Sequence, residues 1–277
     1  MSALIDGVNG WVYSQSEIAS LTSLCDDDGF PAEISQAWSH CIIRRSAILG
    51  GCSVFFIQAV TPTKPSVFPE FISDSIGYPA SCPVVRMLET TAHAGVSRRL
   101  IDLSVVLRRN PIKAEFAAPD GTGWEPAAAD AAARRLVQAL GTVGALQALR
   151  QRLDQEVAET LAVLDANPCG RAYLEGTSPV AERGARISYG SRSELIEAGA
   201  LVIFDDKFLI SHHRVVAECL ASYFSEIHLI QSREIDFSFL ARVGATNVIA
   251  SVSIDSVASV PSDHWHLDAE EWRYSER

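Results

Sequence analysis

The apolar positions along the chain fall into two patterns. Cys52-Ser-Val-Phe-Phe-Ile-Gln-Ala-Val60 is almost continuously apolar. A strand with one wet face alternates apolar and polar residues, so this run predicts a parallel strand covered on both faces. Ala200-Leu-Val-Ile-Phe204, Glu226-Ile-His-Leu-Ile230 and Asn247-Val-Ile-Ala-Ser-Val252 read as further strands, and Arg99-Leu-Ile-Asp-Leu103 as a short one with a helical turn to Arg109. Helical spacing appears after Pro31. Ile34, Trp38, Cys41, Ile42, Arg45 and Ile48 share one face of a helix expected over about 32–49, with Arg45 out of character, and Gly50-Gly51 stops it. Further helices are expected over 83–94, 211–224 and 237–242. Glu125-Pro126 opens a helical stretch, read over 127–164 as two helices broken near Gly141 to Gly144 and ended by Asn167-Pro168.

Strand–helix–strand repetition in the last third implies a parallel sheet with right-handed crossovers. The expected organisation is a single α/β domain over 1–260, with a helical insertion at about 127–168 and an irregular segment at 170–195, a flap or a surface excursion. A polar and aromatic tail, 261–277, is expected on the surface. Thr61 to Glu70, punctuated by prolines, is expected to be a loop without regular structure.

Composition narrows the class. A chain of 277 residues, 48% hydrophobic and 21% charged, can bury a globular core. It has no apolar run of the ~18 residues that a membrane-spanning helix needs. The start, Met1-Ser-Ala-Leu-Ile-Asp6, lacks the basic and apolar regions of a signal peptide, so a cytoplasmic location is expected. The net charge of −11 argues against nucleic acid or an anionic membrane as partner. No cofactor is expected. Asp26-Asp27-Asp28 lacks the alternating ligands of a calcium loop. The six cysteines form no CxxC or zinc spacing and read as reduced thiols, and Cys41 beside His40 would diverge from it on a helix. His264 and His266, with Asp263 and Asp268, would share a face of a strand as a metal cluster, or belong to an ordered aromatic tail.

Ligands of open parallel sheets bind outside the carboxyl ends of the strands. The loops expected there are Pro62 to Lys64, Asp120 to Trp124, Asp205 to Lys207, Ser232 to Asp236 and Ile254 to Ser256. These loops and the opening Gly10-Trp11-Val12-Tyr13 carry motifs. Pro62-Thr-Lys-Pro-Ser-Val-Phe-Pro-Glu70 resembles a "PnKesvYPE" loop. Asp120-Gly-Thr-Gly-Trp-Glu-Pro126 resembles "tDtHWtp", and Val202-Ile-Phe-Asp-Asp-Lys-Phe208 resembles "vlvfGDSF". In this order, over about 7–255, the chain resembles the alginate O-acetyltransferase (AlgX/AlgJ-type) family of SGNH-hydrolase-like proteins. The resemblance implies an SGNH-hydrolase-like (flavodoxin-like) three-layer α/β/α fold with a mostly parallel sheet.

Members of that family bind an acyl donor and transfer acetyl to a polysaccharide hydroxyl with a serine nucleophile, a histidine base and an orienting aspartate. Position by position, the Asp and His places fall on Gly121 and Gly123, and the nucleophile falls on Lys207. The Asp before the nucleophile is kept as Asp206, and a one-residue slip places Asp120 near the lost Asp. An alcohol needs a positioned base to become a nucleophile, so losing all three groups removes that mechanism. The resemblance implies a diverged protein that binds a small-molecule, acyl-donor or carrier-linked ligand in the inherited cleft. Lys64, Thr122, Trp124 and Asp205 are its candidate binding residues. An enzyme with relocated groups would use Lys207, Asp206, Asp120 and His213, or its neighbour His212. Lys207 buried in the cleft would lose its charge and serve as base or amine nucleophile. Otherwise it pairs with Asp205, Asp206 or an acidic ligand. A third reading is an interaction module without a pocket.

Overall fold

The computed structural model describes residues 3–25, 30–72, 83–109, 116–117, 124–142, 186–190, 199–221 and 223–263. The chain opens with an antiparallel pair, β1 (Leu4–Asp6) and β2 (Val12–Ser14). The body follows as α1 (Gln15–Cys25), α2 (Ala32–Gly51), β3 (Phe55–Thr61), α3 (Lys64–Val67), α4 (Pro83–His93), β4 (Leu100–Asp102), α5 (Ser104–Arg108) and α6 (Pro126–Thr142). The last third contains β5 (Arg186–Gly190), β6 (Ala200–Asp205), α7 (Phe208–Ser211), α8 (His213–Leu220), β7 (Glu226–Gln231), α9 (Phe237–Arg242) and β8 (Ala245–Ser253).

Six strands form one sheet in the order β4-β3-β8-β6-β7-β5. All neighbouring pairs are parallel except β5 with β7, which is antiparallel at the edge. Successive side chains of a strand point to opposite faces, and both faces are covered. Ile57, Ala59, Leu201, Ile203 and Ile249 pack into one core with α6 and α8. Phe56, Val60, Val202, Phe204, Val248 and Ala250 pack into the other with α2, α4 and α9. Burial on both sides is why the strand sequences read as continuous apolar runs, each fully buried large side chain contributing about 1.5–3 kcal/mol. The three-layer mixed α/β architecture is the one expected. Among the described residues no helix is long and apolar enough to cross a membrane.

Arg45, the odd residue on the apolar face of α2, is fully buried and serves as an anchor. Its Nη2 and Nε lie 2.6 and 3.0 Å from the two carboxylate oxygens of Asp263. Its Nη1 donates to Gln58 Oε1 at 2.6 Å, and Nη2 also donates to the Arg233 carbonyl at 2.9 Å. The planar guanidinium suits this two-pronged contact. Burial alone would push the Asp263 carboxyl up, but the Arg45 contact outweighs it and holds the group below the usual range. Asp263, the last described residue, is thereby tied to α2 and, through its Oδ1, to the Ile235 N–H at 3.1 Å.

Several local expectations are corrected. The proline-punctuated loop contains a short helix, α3, and a 3-10 turn at Pro69–Phe71, because proline is tolerated in a first helical turn. Within the segment expected to be irregular, Arg186–Gly190 is the edge strand β5. The helix expected over 211–224 is two short helices with a break at His212. The strand expected from Cys52 begins at Phe55, because Cys52 and Ser53 close the end of α2. The second insertion helix, Asp26 to Asp28 and the His264 and His266 pair lie outside the described residues.

Candidate functional site

The carboxyl ends of β3, β6 and β8 open on one cavity of about 320 Å³, lined by Glu17, Pro62, Thr63, Trp124, Lys207, Phe208, Ser211, His212 and Ser253. Its floor is the turn after β6. Asp205 is fully buried, and its Oδ2 accepts the Lys207 backbone N–H at 3.1 Å, a side chain that folds its own turn. Asp206 Oδ1 accepts the Ser253 N–H at 2.9 Å and ties the end of β6 to the end of β8. Successive residues diverge, so the two carboxyls do different work. Burial first, and then the charge of Asp205, push the Asp206 carboxyl up to about 6.

Lys207 projects from this turn with its side chain 56% exposed. Its Nζ lies 3.2 Å from Asp255 Oδ2 and 3.8 Å from Glu17 Oε1. Burial favours the neutral amine, but Asp255 and Glu17 outweigh it and raise the pKa above the ordinary lysine value. Lys207 is therefore a held cation rather than the neutral amine that burial would make. It does pair, but with Asp255 and Glu17, not with a neighbour in sequence. Burial raises the pKa of Glu17 despite the nearby Lys207. Glu17 Oε2, Thr63 Oγ1 and Asp255 Oδ1 are buried and have no hydrogen-bond partner among the described residues.

The opposite wall is aromatic. Trp124 meets Phe208 edge-on, with centroids 5.8 Å apart, and Phe68 at 6.1 Å. The half-buried His212 sits at the break between α7 and α8 with φ −114° and ψ 28°. Its Nε2 is 2.8 Å from the Trp124 carbonyl, and its Nδ1 is 3.0 Å from Ser211 Oγ and 3.1 Å from the Phe208 carbonyl.

Of the residues singled out from the sequence, Lys207 and Trp124 line the cavity, and Asp205 and Asp206 shape the turn beneath it. Lys64 turns elsewhere. Only 1% exposed, it donates from Nζ to the Val12 carbonyl at 2.9 Å and lies over the rings of Trp11 and Tyr13. There it locks the opening strand pair to α3. Asp120, Thr122 and the side chain of His213 lie outside the described residues. Glu17, Thr63, Asp255, Ser211 and His212 were not foreseen as a set. The available signals were partial: Thr63 and Asp255 lie in loops expected at the strand ends, and His212 in the His212/His213 pair after the Lys207 turn. Among the described residues no cluster of His, Cys, Asp and Glu could hold a metal.

No protein-family model matches the sequence, and no curated protein matches it. Solved structures do. The O-acetyltransferase domain of Pseudomonas putida AlgJ superposes with a TM-score of 0.52 at 11% identity, covering 100% of this chain and 99% of that one. Bacillus cereus PatB1, solved with a sulfonyl adduct, superposes with a TM-score of 0.57 at 12% identity, covering 96% of this chain and 100% of that one. At this identity the shared property is the fold, which the loop motifs had implied. The described residues have the SGNH-like α/β fold shared with the AlgJ O-acetyltransferase domain and with PatB1.

Proposed function

We propose that this protein binds an acyl- or sugar-type ligand in the cavity at the carboxyl ends of β3, β6 and β8, as an accessory or tailoring protein of a biosynthetic pathway. It does so without a nucleophile at the turn after β6. The observation that carries this reading is Lys207 at that turn, its ammonium ion-paired to Asp255 and Glu17. A protonated amine has no lone pair with which to attack a carbonyl or take up a proton. The fold shared with the AlgJ O-acetyltransferase domain supports an acyl-type ligand. The cavity supports it too, and weighs against a module whose cleft is filled. At about 320 Å³ it is near the lower end of small-molecule sites. The aromatic side chains of Trp124 and Phe208 in its lining suit a sugar ring or an acyl chain.

Calorimetry with acetyl-coenzyme A, O-acetylated glucose and glucose tests the proposal. Saturable binding of at least one is expected, weakened at least about tenfold by Trp124→Ala. Absence of binding by all three would overturn it.

A further inference from the structure

We infer that Ser211 and His212 form a nucleophile–base pair on the cavity wall, oriented by the main-chain carbonyl of Trp124, and that an ester bound in the cavity passes its acyl group to Ser211 Oγ. This rests on the reading that the cavity binds an acyl-type ligand. The nucleophile lies one helical turn beyond the β6 turn, and a backbone carbonyl stands where a carboxylate would orient the base. Motif comparison at Lys207 therefore does not detect it.

The pairing comes from the chain path. In a continuous helix adjacent side chains diverge by about 100°. Here the helix breaks at His212, and the ring folds back over α7, stacked obliquely on Phe208 with centroids 5.5 Å apart. That brings Nδ1 within 3.0 Å of Ser211 Oγ, the separation a base needs to take a hydroxyl proton. In the neutral tautomer with its proton on Nε2, that N–H donates to the Trp124 carbonyl at 2.8 Å and Nδ1 is the acceptor. At rest the Ser211 hydroxyl donates to the Phe208 carbonyl at 2.7 Å, and rotation of the O–H bond redirects it to Nδ1. Once Nδ1 is protonated it faces that same carbonyl at 3.1 Å, so both N–H groups of the imidazolium have acceptors. Ser211 is exposed and lines the cavity, as does Lys207.

In the first step, Ser211 Oγ bonds to the carbonyl carbon of the ester while its proton passes to His212 Nδ1. The bond from that carbon to the leaving alcohol's oxygen breaks, and the departing oxygen takes the proton. In the second step, water or an acceptor hydroxyl attacks the acyl-serine and gives its proton to Nδ1. The Oγ–acyl bond breaks, and Oγ recovers that proton.

The test is peptide mass spectrometry of the full chain after treatment with p-nitrophenyl acetate, and separately with a fluorophosphonate. The expected result is an adduct on Ser211. Ser211→Ala should lose it and slow p-nitrophenol release roughly 100-fold. Ser211→Cys should trap the acetyl group as a thioester on the same peptide, which guards against a folding artefact. His212→Gln should slow release and remove the pH dependence of the rate. An adduct on Lys207 or elsewhere, or an unchanged rate in Ser211→Ala, would overturn the inference. If the wild type binds the calorimetric ligands but Ser211 stays unlabelled, this inference alone fails. If Ser211 is labelled and none of those ligands binds, the proposed ligand class fails instead.

Discussion

Replacing Asp206 with asparagine should stabilise the fold at neutral pH, and the gain should vanish in acid. The carboxyl is pushed up from 3.8 to about 6 by burial and by the charge of Asp205, against the opposing Ser253 N–H bond. At pH 5 the folded protein therefore keeps a proton on Asp206 that the unfolded chain has released. Stability falls with rising pH wherever the folded state holds more protons. The contribution is thus fully present below about pH 4, is lost between about 4 and 6, and is flat above. The full difference corresponds to about 3 kcal/mol at ~1.4 kcal/mol per decade. Because the group is only partly shielded from water, about 1–3 kcal/mol should be seen. Asparagine keeps the shape and an oxygen to accept the Ser253 N–H, so the substitution removes the charge alone. Urea unfolding followed by circular dichroism at pH 4, 5, 6 and 7.5 reads the outcome, with carboxylates remote from the turn cancelling between the two proteins. The variant should gain on the wild type as pH rises through this window. A variant equally or less stable at pH 7.5, or a difference that does not change with pH, would refute the electrostatic account of the turn.

Asp263→Asn should cost about 3–5 kcal/mol, read as a lowered urea midpoint, because it leaves the Arg45 charge buried without its counter-ion. Gly199→Ala should cost at least about 1–2 kcal/mol and lower the melting temperature, since Gly199 has φ +64° and a Cβ there would meet Thr246 Oγ1 at 2.5 Å. Lys207→Met should cost less than about 1 kcal/mol, as its ammonium is largely solvated, but should raise the Glu17 pKa further in a carbon-detected NMR titration.

Much of the sheet is legible in the sequence because β3, β6 and β8 are covered on both faces, which leaves an unbroken apolar signature. The edge strand β5 has no such signature, and its pairing with Ile227 to Ile230 of β7 is a long-range event that local composition does not encode. Arg45 shows the same limit from the other side. Its position on the apolar face was visible, but its reason, Asp263, lies 218 residues away. At the site, the Lys207 turn was found from its position at a strand end. Its counter-ions were not, because Glu17 sits on a helix near the start of the chain and Asp255 follows a different strand. His213 was the candidate read from the sequence with His212 as its alternative, and it is the helix break at His212 that folds the His212 ring toward Trp124.

Calorimetric titration of the full chain with O-acetylated glucose and acetyl-coenzyme A tests the central claim most directly. Saturable binding that Trp124→Ala weakens at least about tenfold is the predicted result. No heat of binding with either ligand, in a protein that unfolds cooperatively, would contradict the account.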